Sequence, residues 1–235
     1  GSLDIGNLKN LLDPNLLDRK ILELISDADA SFAIGRYNEA RVFYTTDAFA
    51  SQGNDSLCWR TVHTGMDFFS KEGTEVLVVW DGTVHSFANN SGDRDYGPTI
   101  VLQHLVSKDL VFYTLHGHLT ADSIASLKIG QTVKKGDVLG RIGSRKENGN
   151  WPPHLHFQII LDMLGKQEDF PGVTDAHQRG LWESISPDPW ILLTGKPSEQ
   201  PSTLSKEEIV DYRRKHLGKN MSISYRDPIK MVRGY

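Results

Sequence analysis

Residues 99–118, TIVLQHLVSKDLVFYTLHGH, indicate the fold class of this 235-residue chain. They contain two runs of β-branched and aromatic residues, 99–106 and 110–115, which are typical of strands. Further runs of this kind lie at residues 76–80, 83–87 and 155–161. Turn residues such as Asp81-Gly82 separate them. Many short strands joined by glycine turns favour a mainly β fold, with an antiparallel sheet or sandwich rather than a doubly wound sheet.

The two ends of the chain differ from this central β region. Asp13-Pro14 predicts the start of a helix, because aspartate caps helices well and proline suits the first turn. Residues 196–203 are rich in proline and serine, which predicts a linker. We therefore expect an N-terminal helical extension over residues 1–50 that carries no chemistry, and a main domain over residues 51–195. Residues 196–235 would be the linker and the truncated start of a further domain.

The composition argues against several classes of protein. Hydrophobic residues make up 38% of the chain and charged residues 24%, as in ordinary soluble domains. The formal net charge of -4 offers no basic excess for nucleic acid. No apolar stretch reaches the length of a bilayer span. The single cysteine, Cys58, excludes an internal disulfide framework and is interpreted as a buried structural thiol. We expect a cytoplasmic protein that binds neither nucleic acid nor membranes.

Three histidine motifs fall inside the β region. His154-Leu155-His156 places two imidazoles two residues apart, and such residues share one face of a strand. His116-Gly117-His118 repeats this spacing on another predicted strand. His63-Thr64-Gly65-Met66-Asp67 adds an imidazole and a carboxylate around a glycine that lets the backbone turn. Each motif alone also fits solvated or hydrogen-bonded side chains, but their combination in one domain favours a metal site.

The order of these motifs resembles the lysostaphin/LytM-type metallopeptidases, peptidase family M23. Two further segments carry the resemblance, GQTVKKGDVLG at residues 130–140 and PHLHF at residues 153–157. Together the matching motifs span about residues 55–162. The resemblance implies a LytM-like fold, of the duplicated hybrid motif type, with flanking N- and C-terminal helices.

The resemblance also implies residue roles. A single Zn²⁺ would be held by His63, Asp67 and His156, with the fourth position open to water. His118 and His154 would form the catalytic pair, taking a proton from that water and stabilising the oxyanion as a peptide or amide bond is cleaved. In catalytic zinc sites the metal typically has three nitrogen or oxygen ligands from the protein and one position open to water. One departure is His116, which stands where the family usually has tyrosine and puts the substrate preference in doubt.

The remaining histidines have no motif role. We interpret His85 and His104 as structural and His177 and His216 as solvated. A non-catalytic zinc-binding scaffold and a carrier-like module are the alternatives to an enzyme, because glycine-turn hairpins such as residues 133–137 also occur in carrier domains. The chain lacks a motif for a modifiable lysine at a hairpin tip.

A second resemblance concerns the C-terminal residues. Residues 212–218 and 222–234 resemble the opening segment of class III pyridoxal-phosphate aminotransferases, although no cofactor lysine is present. The alternative is a simple capped helix and tail. The resemblance implies that the domain is fused to an adjoining aminotransferase in a larger protein. Its substrate would then be a peptide or a small amide-containing molecule rather than the bacterial cell wall that typical family members cut.

Overall fold

The structure is a computed structural model that describes residues 13–41, 44, 49–52 and 57–196. Its helices are α1 (Pro14–Asp27), α2 (Asp122–Ala125), α3 (Arg179–Ile185) and α4 (Trp190–Thr194). Its strands are β1 (Ala33–Gly35), β2 (Ala50–Gln52), β3 (Leu57–Trp59), β4 (Val62–His63), β5 (Met66–Phe69), β6 (Glu75–Leu77), β7 (Gly82–Asn90), β8 (Gly97–Ser107), β9 (Leu110–Gly117), β10 (Thr132–Val133), β11 (Val138–Arg141), β12 (His154–Ile160) and β13 (Val173–Thr174). Within those described ranges, no helix has the length and apolar character needed to cross a bilayer.

A seven-stranded sheet forms the centre of the molecule. Its strand order is β1-β5-β12-β9-β8-β7-β10, and every neighbouring pair is antiparallel. Three two-stranded antiparallel pairs accompany it, β6 with β11, β4 with β13 and β2 with β3. The prediction of a mainly antiparallel β fold with helices at both flanks is confirmed. The strands expected at residues 99–106 and 110–115 are the paired β8 and β9.

The central sheet is covered on both faces, because the six consecutive β8 residues 97–102 are all buried. Ile100 and Leu102 belong to one apolar cluster, and Val101 between them belongs to another with Leu115 and Ile160. Since side chains alternate along a strand, the two clusters lie on opposite faces. Ile160 shares its face of β12 with the even-numbered residues of that strand, His154 and His156 among them. The candidate site therefore lies on the face of the Val101 cluster.

The N-terminal extension packs directly on the sheet. The side chain of Asp13 accepts hydrogen bonds from the backbone N–H groups of Asn15 and Leu16, which confirms the predicted helix start. Leu17 and Ile21 of α1 then pack against Phe69 of β5. Strand β1 pairs with β5, so the sheet includes residues before residue 50. The linker and the aminotransferase-like segment predicted for residues 196–235 lie outside the described residues, apart from Lys196.

The glycine turn around residues 133–137 does not make a hairpin. Strand β10 pairs with β7 in the central sheet, whereas β11 pairs with β6. Gly136, with a φ of 92°, turns the chain between them. The carrier-type hairpin that the sequence suggested is therefore absent from this part of the described chain.

His116 does not share a face with His118, so the prediction of a second histidine pair on one strand face is wrong. Strand β9 ends at Gly117, and His118 follows with a φ of 63°, which interrupts the alternation of side chains. His116 is paired across the strands with Phe157 and its ring contacts that side chain at a centroid distance of 5.2 Å. It is buried on the face opposite the candidate site, as a strand-packing residue.

Burial of His116 makes the folded state sensitive to acid. Burial lowers the pKa of His116 from 6.5 to about 3. The folded protein therefore keeps this ring neutral while the unfolded chain protonates it below about pH 6.5, so the stabilisation is complete above that pH and is lost as the pH falls towards 3.

Replacing His116 with phenylalanine should remove this contribution. Between pH 7 and pH 5 we expect the variant to lose about 2 kcal/mol less unfolding free energy than the wild type. Urea unfolding of both proteins at the two pH values, with a chelator present, measures the difference. An equal loss in the two proteins would contradict this assignment.

Candidate metal centre

Three strands bring together the three residues predicted to bind metal. His63 lies at the end of β4, Asp67 in β5 and His156 in β12. His156 is directly paired with Asp67 across the antiparallel ladder, so their side chains project from the same face. Gly65 lies between β4 and β5, and a Cβ atom there would lie 2.6 Å from His156 Nε2. Only glycine lets the His156 ring approach the backbone at this position.

The three side-chain atoms that could bind a metal ion form a nearly equilateral triangle. His63 Nε2 lies 3.0 Å from His156 Nδ1 and 3.2 Å from Asp67 Oδ1. The third edge, from His156 Nδ1 to Asp67 Oδ1, is 3.1 Å. All three side chains are buried. Ligands about 2.0 Å from a tetrahedral zinc ion are about 3.3 Å apart, so these edges fit one face of such a tetrahedron.

Hydrogen bonds on the far side of each ring fix the tautomers of the two histidines. His63 Nδ1–H donates to the carbonyl oxygen of Arg36 at 3.2 Å, because a carbonyl can only accept. The side-chain amide of Gln158 donates to the Pro171 carbonyl at 3.1 Å, so its oxygen Oε1 faces His156. His156 Nε2–H therefore donates to Gln158 Oε1 at 3.0 Å.

The three converging atoms are consequently all acceptors. In the neutral tautomers that these hydrogen bonds fix, neither His63 Nε2 nor His156 Nδ1 carries a proton, and Asp67 Oδ1 belongs to a carboxylate. Three lone-pair atoms at 3.0 to 3.2 Å repel one another unless a cation lies among them. The donor set therefore fits a metal ion, and two imidazoles with one carboxylate suit zinc.

The charges around the triangle favour its ligating form. Burial alone would raise the pKa of Asp67, but His63 and the Arg41 guanidinium outweigh it and hold that pKa well below its usual range. Burial and the nearby Arg41 lower the pKa of His63 to about 4. Both effects keep the carboxylate ionised and the imidazole neutral near neutral pH, as metal binding requires.

His118 and His154 lie side by side next to the triangle. Their ring centroids are 4.2 Å apart. His118 Nδ1–H donates to the carbonyl oxygen of Asn148 at 2.9 Å, and His154 Nδ1–H donates to that of Pro152 at 2.6 Å. Each ring therefore presents an unprotonated Nε2, and His154 Nε2 lies 3.8 Å from Asp67 Oδ1. Burial lowers the pKa of both histidines, which leaves them neutral and able to accept a proton.

The five predicted site residues thus meet at one place in the fold, whereas the histidines without a predicted role lie elsewhere. His104 is buried between the Asp81 carbonyl and the Thr114 hydroxyl, at 3.0 and 2.7 Å, which fits a structural role. His85 contacts the Ser86 hydroxyl at 3.1 Å, and His177 is exposed. His216 lies outside the described residues, and the side chain of Cys58 is not among those described.

A cavity of about 340 Å³ opens over the site. Aromatic residues form part of its wall, including Tyr96, whose ring centroid lies 5.1 Å from that of His156. The Trp151 ring lies 6.4 Å from that of His118, and the Arg94 guanidinium lies 4.5 Å from the centroid of the Trp151 ring. Charged residues of both signs complete the lining: Arg60, Lys166, Asp93, Asp95 and Asp169. A cavity of this size and mixed polarity suits a small substrate or a short stretch of peptide.

Two residues at the site were not found by sequence reasoning. Gln158 follows His156 by two residues on the same strand face, and that alternation could have indicated it. Arg41 contacts Asp67 from a part of the chain expected to carry no chemistry. Arg41 and Asp67 are 26 positions apart in the sequence, so no local pattern would predict the contact.

Comparisons with known proteins match this region to one family. Residues 61–168 match the family model of peptidase family M23. Lysostaphin from Staphylococcus staphylolyticus is 27% identical over 156 residues, which are 64% of this chain and 29% of lysostaphin. The glycyl-glycine endopeptidase ALE-1 of Staphylococcus capitis is 34% identical over 119 residues, 48% of this chain and 30% of that protein. The chain therefore spans less than a third of the length of either relative.

The catalytic domain of lysostaphin from Staphylococcus simulans aligns with 21% identity and a TM-score of 0.41, and the alignment covers 73% of this chain and 97% of that domain.

Proposed function

We propose that this chain is a zinc-dependent hydrolase that cleaves a peptide or amide bond, and the match of residues 61–168 to the family model of peptidase family M23 supports this. The observation that carries the proposal is the convergence of three acceptor atoms, from His63, Asp67 and His156, with no proton among them. Zinc bound there would polarise the substrate carbonyl and make water a stronger nucleophile near neutral pH.

The chain's own residues would supply the proton transfers. The Nε2 atoms of His118 and His154 are unprotonated, and their Nδ1–H groups are held by backbone carbonyls. One of these rings would accept the proton of the attacking water, and the protonated ring would stabilise the oxyanion and then protonate the leaving amine.

The substrate we propose is a short peptide or an amide-containing small molecule. The cavity of about 340 Å³ supports this size class. The aminotransferase neighbour and the cytoplasmic location stay predictions from the sequence. If both hold, the enzyme would meet small metabolites rather than the bacterial cell wall.

Hydrolysis assays test the proposal. The protein is stripped with a chelator, reloaded with one equivalent of zinc, and incubated with short peptides and simple N-acyl amides. The panel should include oligoglycines, since one relative is a glycyl-glycine endopeptidase. We expect new primary amines to form from the substrate only in reactions that contain the zinc-loaded protein. Tight zinc binding without release of amine from any substrate would contradict hydrolysis and favour the zinc-binding scaffold.

A further inference from the structure

The segment from Arg36 to Arg41 lies before the family match and yet contacts the metal site. The Arg36 carbonyl accepts the Nδ1–H of His63 at 3.2 Å. Two backbone hydrogen bonds fix the same histidine: His63 N–H donates to the Glu39 carbonyl at 3.0 Å, and Asn38 N–H donates to the His63 carbonyl at 2.8 Å. The segment therefore determines both the backbone position and the tautomer of one metal-binding residue.

Arg41 at the end of this segment contacts a second one. Its Nη1 atom donates to Asp67 Oδ2 and also to the Tyr44 hydroxyl, the latter at 2.9 Å. Its Nε atom donates to Glu39 Oε2 at 3.4 Å. Both Arg41 and Asp67 are buried. Gly35 makes room for the guanidinium, since a Cβ atom there would lie 2.6 Å from Arg41 Nη2.

The two oxygens of Asp67 thus have separate partners. Oδ2 contacts Arg41, while Oδ1 faces His63 and His156 at 3.2 and 3.1 Å. Because Arg41 donates to Oδ2, the lone pairs of Oδ1 stay directed at His63 and His156. A charge-assisted bond of this kind fixes the rotation of a carboxylate.

We infer that Arg41 is a positioning residue that orients Asp67 for zinc, and that residues 36–41 are an integral part of the metal site. This inference rests on the proposed zinc site. Residues that hold metal ligands in place typically change metal affinity by about 10- to 100-fold when they are replaced. A merely structural ion pair would instead change stability and leave zinc affinity as it is.

Zinc affinity of the full chain tests the inference. The dissociation constant is measured by competition with a chromophoric chelator for the wild type, Arg41→Met and Arg41→Lys. We expect Arg41→Met to weaken zinc binding by about 10- to 100-fold. Arg41→Lys should recover part of the loss, since lysine keeps the charge but offers a single point contact. Arg141→Met is the matched control, because Arg141 pairs with Glu75 at an exposed position and should bind zinc as the wild type does.

Circular dichroism and thermal unfolding of the stripped proteins show whether each variant folds. If Arg41→Met does not fold, the zinc dissociation constants of Tyr44→Phe and Arg41→Lys provide the test. Both variants should fold and bind zinc more weakly than the wild type. Unchanged or tighter zinc binding in a folded Arg41 variant would overturn the inference. A wild type that binds no zinc would overturn the proposed function together with it.

Discussion

Replacing either His118 or His154 with alanine is expected to lower kcat by about 100- to 10,000-fold, because a positioned general acid or base contributes about that much to a hydrolytic rate. Neither residue supplies an atom to the triangle formed by His63, Asp67 and His156. Both variants should therefore still bind zinc. Measuring kcat beside zinc content in the same preparations separates loss of proton transfer from loss of metal.

The two rings should act as one unit. They lie 4.2 Å apart, and their Nε2 atoms are both unprotonated. We therefore expect the double variant to be only slightly slower than the slower single variant. His85→Ala is the matched control, since His85 is a partly buried histidine whose ring contacts Ser86 and Tyr113. Single variants that keep more than a tenth of the wild-type kcat would show that another group transfers the proton.

Replacing Asp67 with alanine is expected to have two large effects. Zinc binding should be lost, because the carboxylate is one of three ligating groups. The stripped protein should also lose about 3–5 kcal/mol of unfolding free energy, because the buried Arg41 guanidinium loses its closest carboxylate. Urea unfolding in the presence of a chelator measures the second effect without a contribution from bound metal.

A double variant separates these effects. Asp67→Ala combined with Arg41→Met removes both buried charges, so it should regain most of the lost stability and still fail to bind zinc. Glu75→Ala, which breaks the exposed pair with Arg141, should change stability little. If the double variant were no more stable than Asp67→Ala alone, the buried ion pair would not be the cause of the destabilisation.

The sequence predicted which side chains lie together where local periodicity determines the geometry. His154 and His156 face the same side because β12 is a regular strand, and the antiparallel ladder then places His156 opposite Asp67. The same argument failed at His116 and His118. The left-handed backbone at His118 ends the alternation there, and no residue type in the motif indicates that conformation.

Long-range contacts account for what the sequence did not predict. Strand β1 pairs with β5 at the edge of the sheet, and the Arg41 N–H donates to the Thr61 carbonyl, which places Arg41 at Asp67. No sequence pattern in the short Ala33–Gly35 strand predicts these pairings. The residues around Gly136 read as a hairpin because glycine marks the turn correctly. The partners of the two flanking strands, however, are set by the packing of β6 and β7.

The zinc content of the purified chain is the most direct test of the proposed function, measured by elemental analysis beside His63→Ala and His156→Ala. We expect about one zinc ion per wild-type chain and close to none in either variant, because each histidine supplies one of three ligating atoms. A wild-type chain that contains no zinc and cannot take it up would contradict the metal centre and leave a domain that only resembles a metallopeptidase.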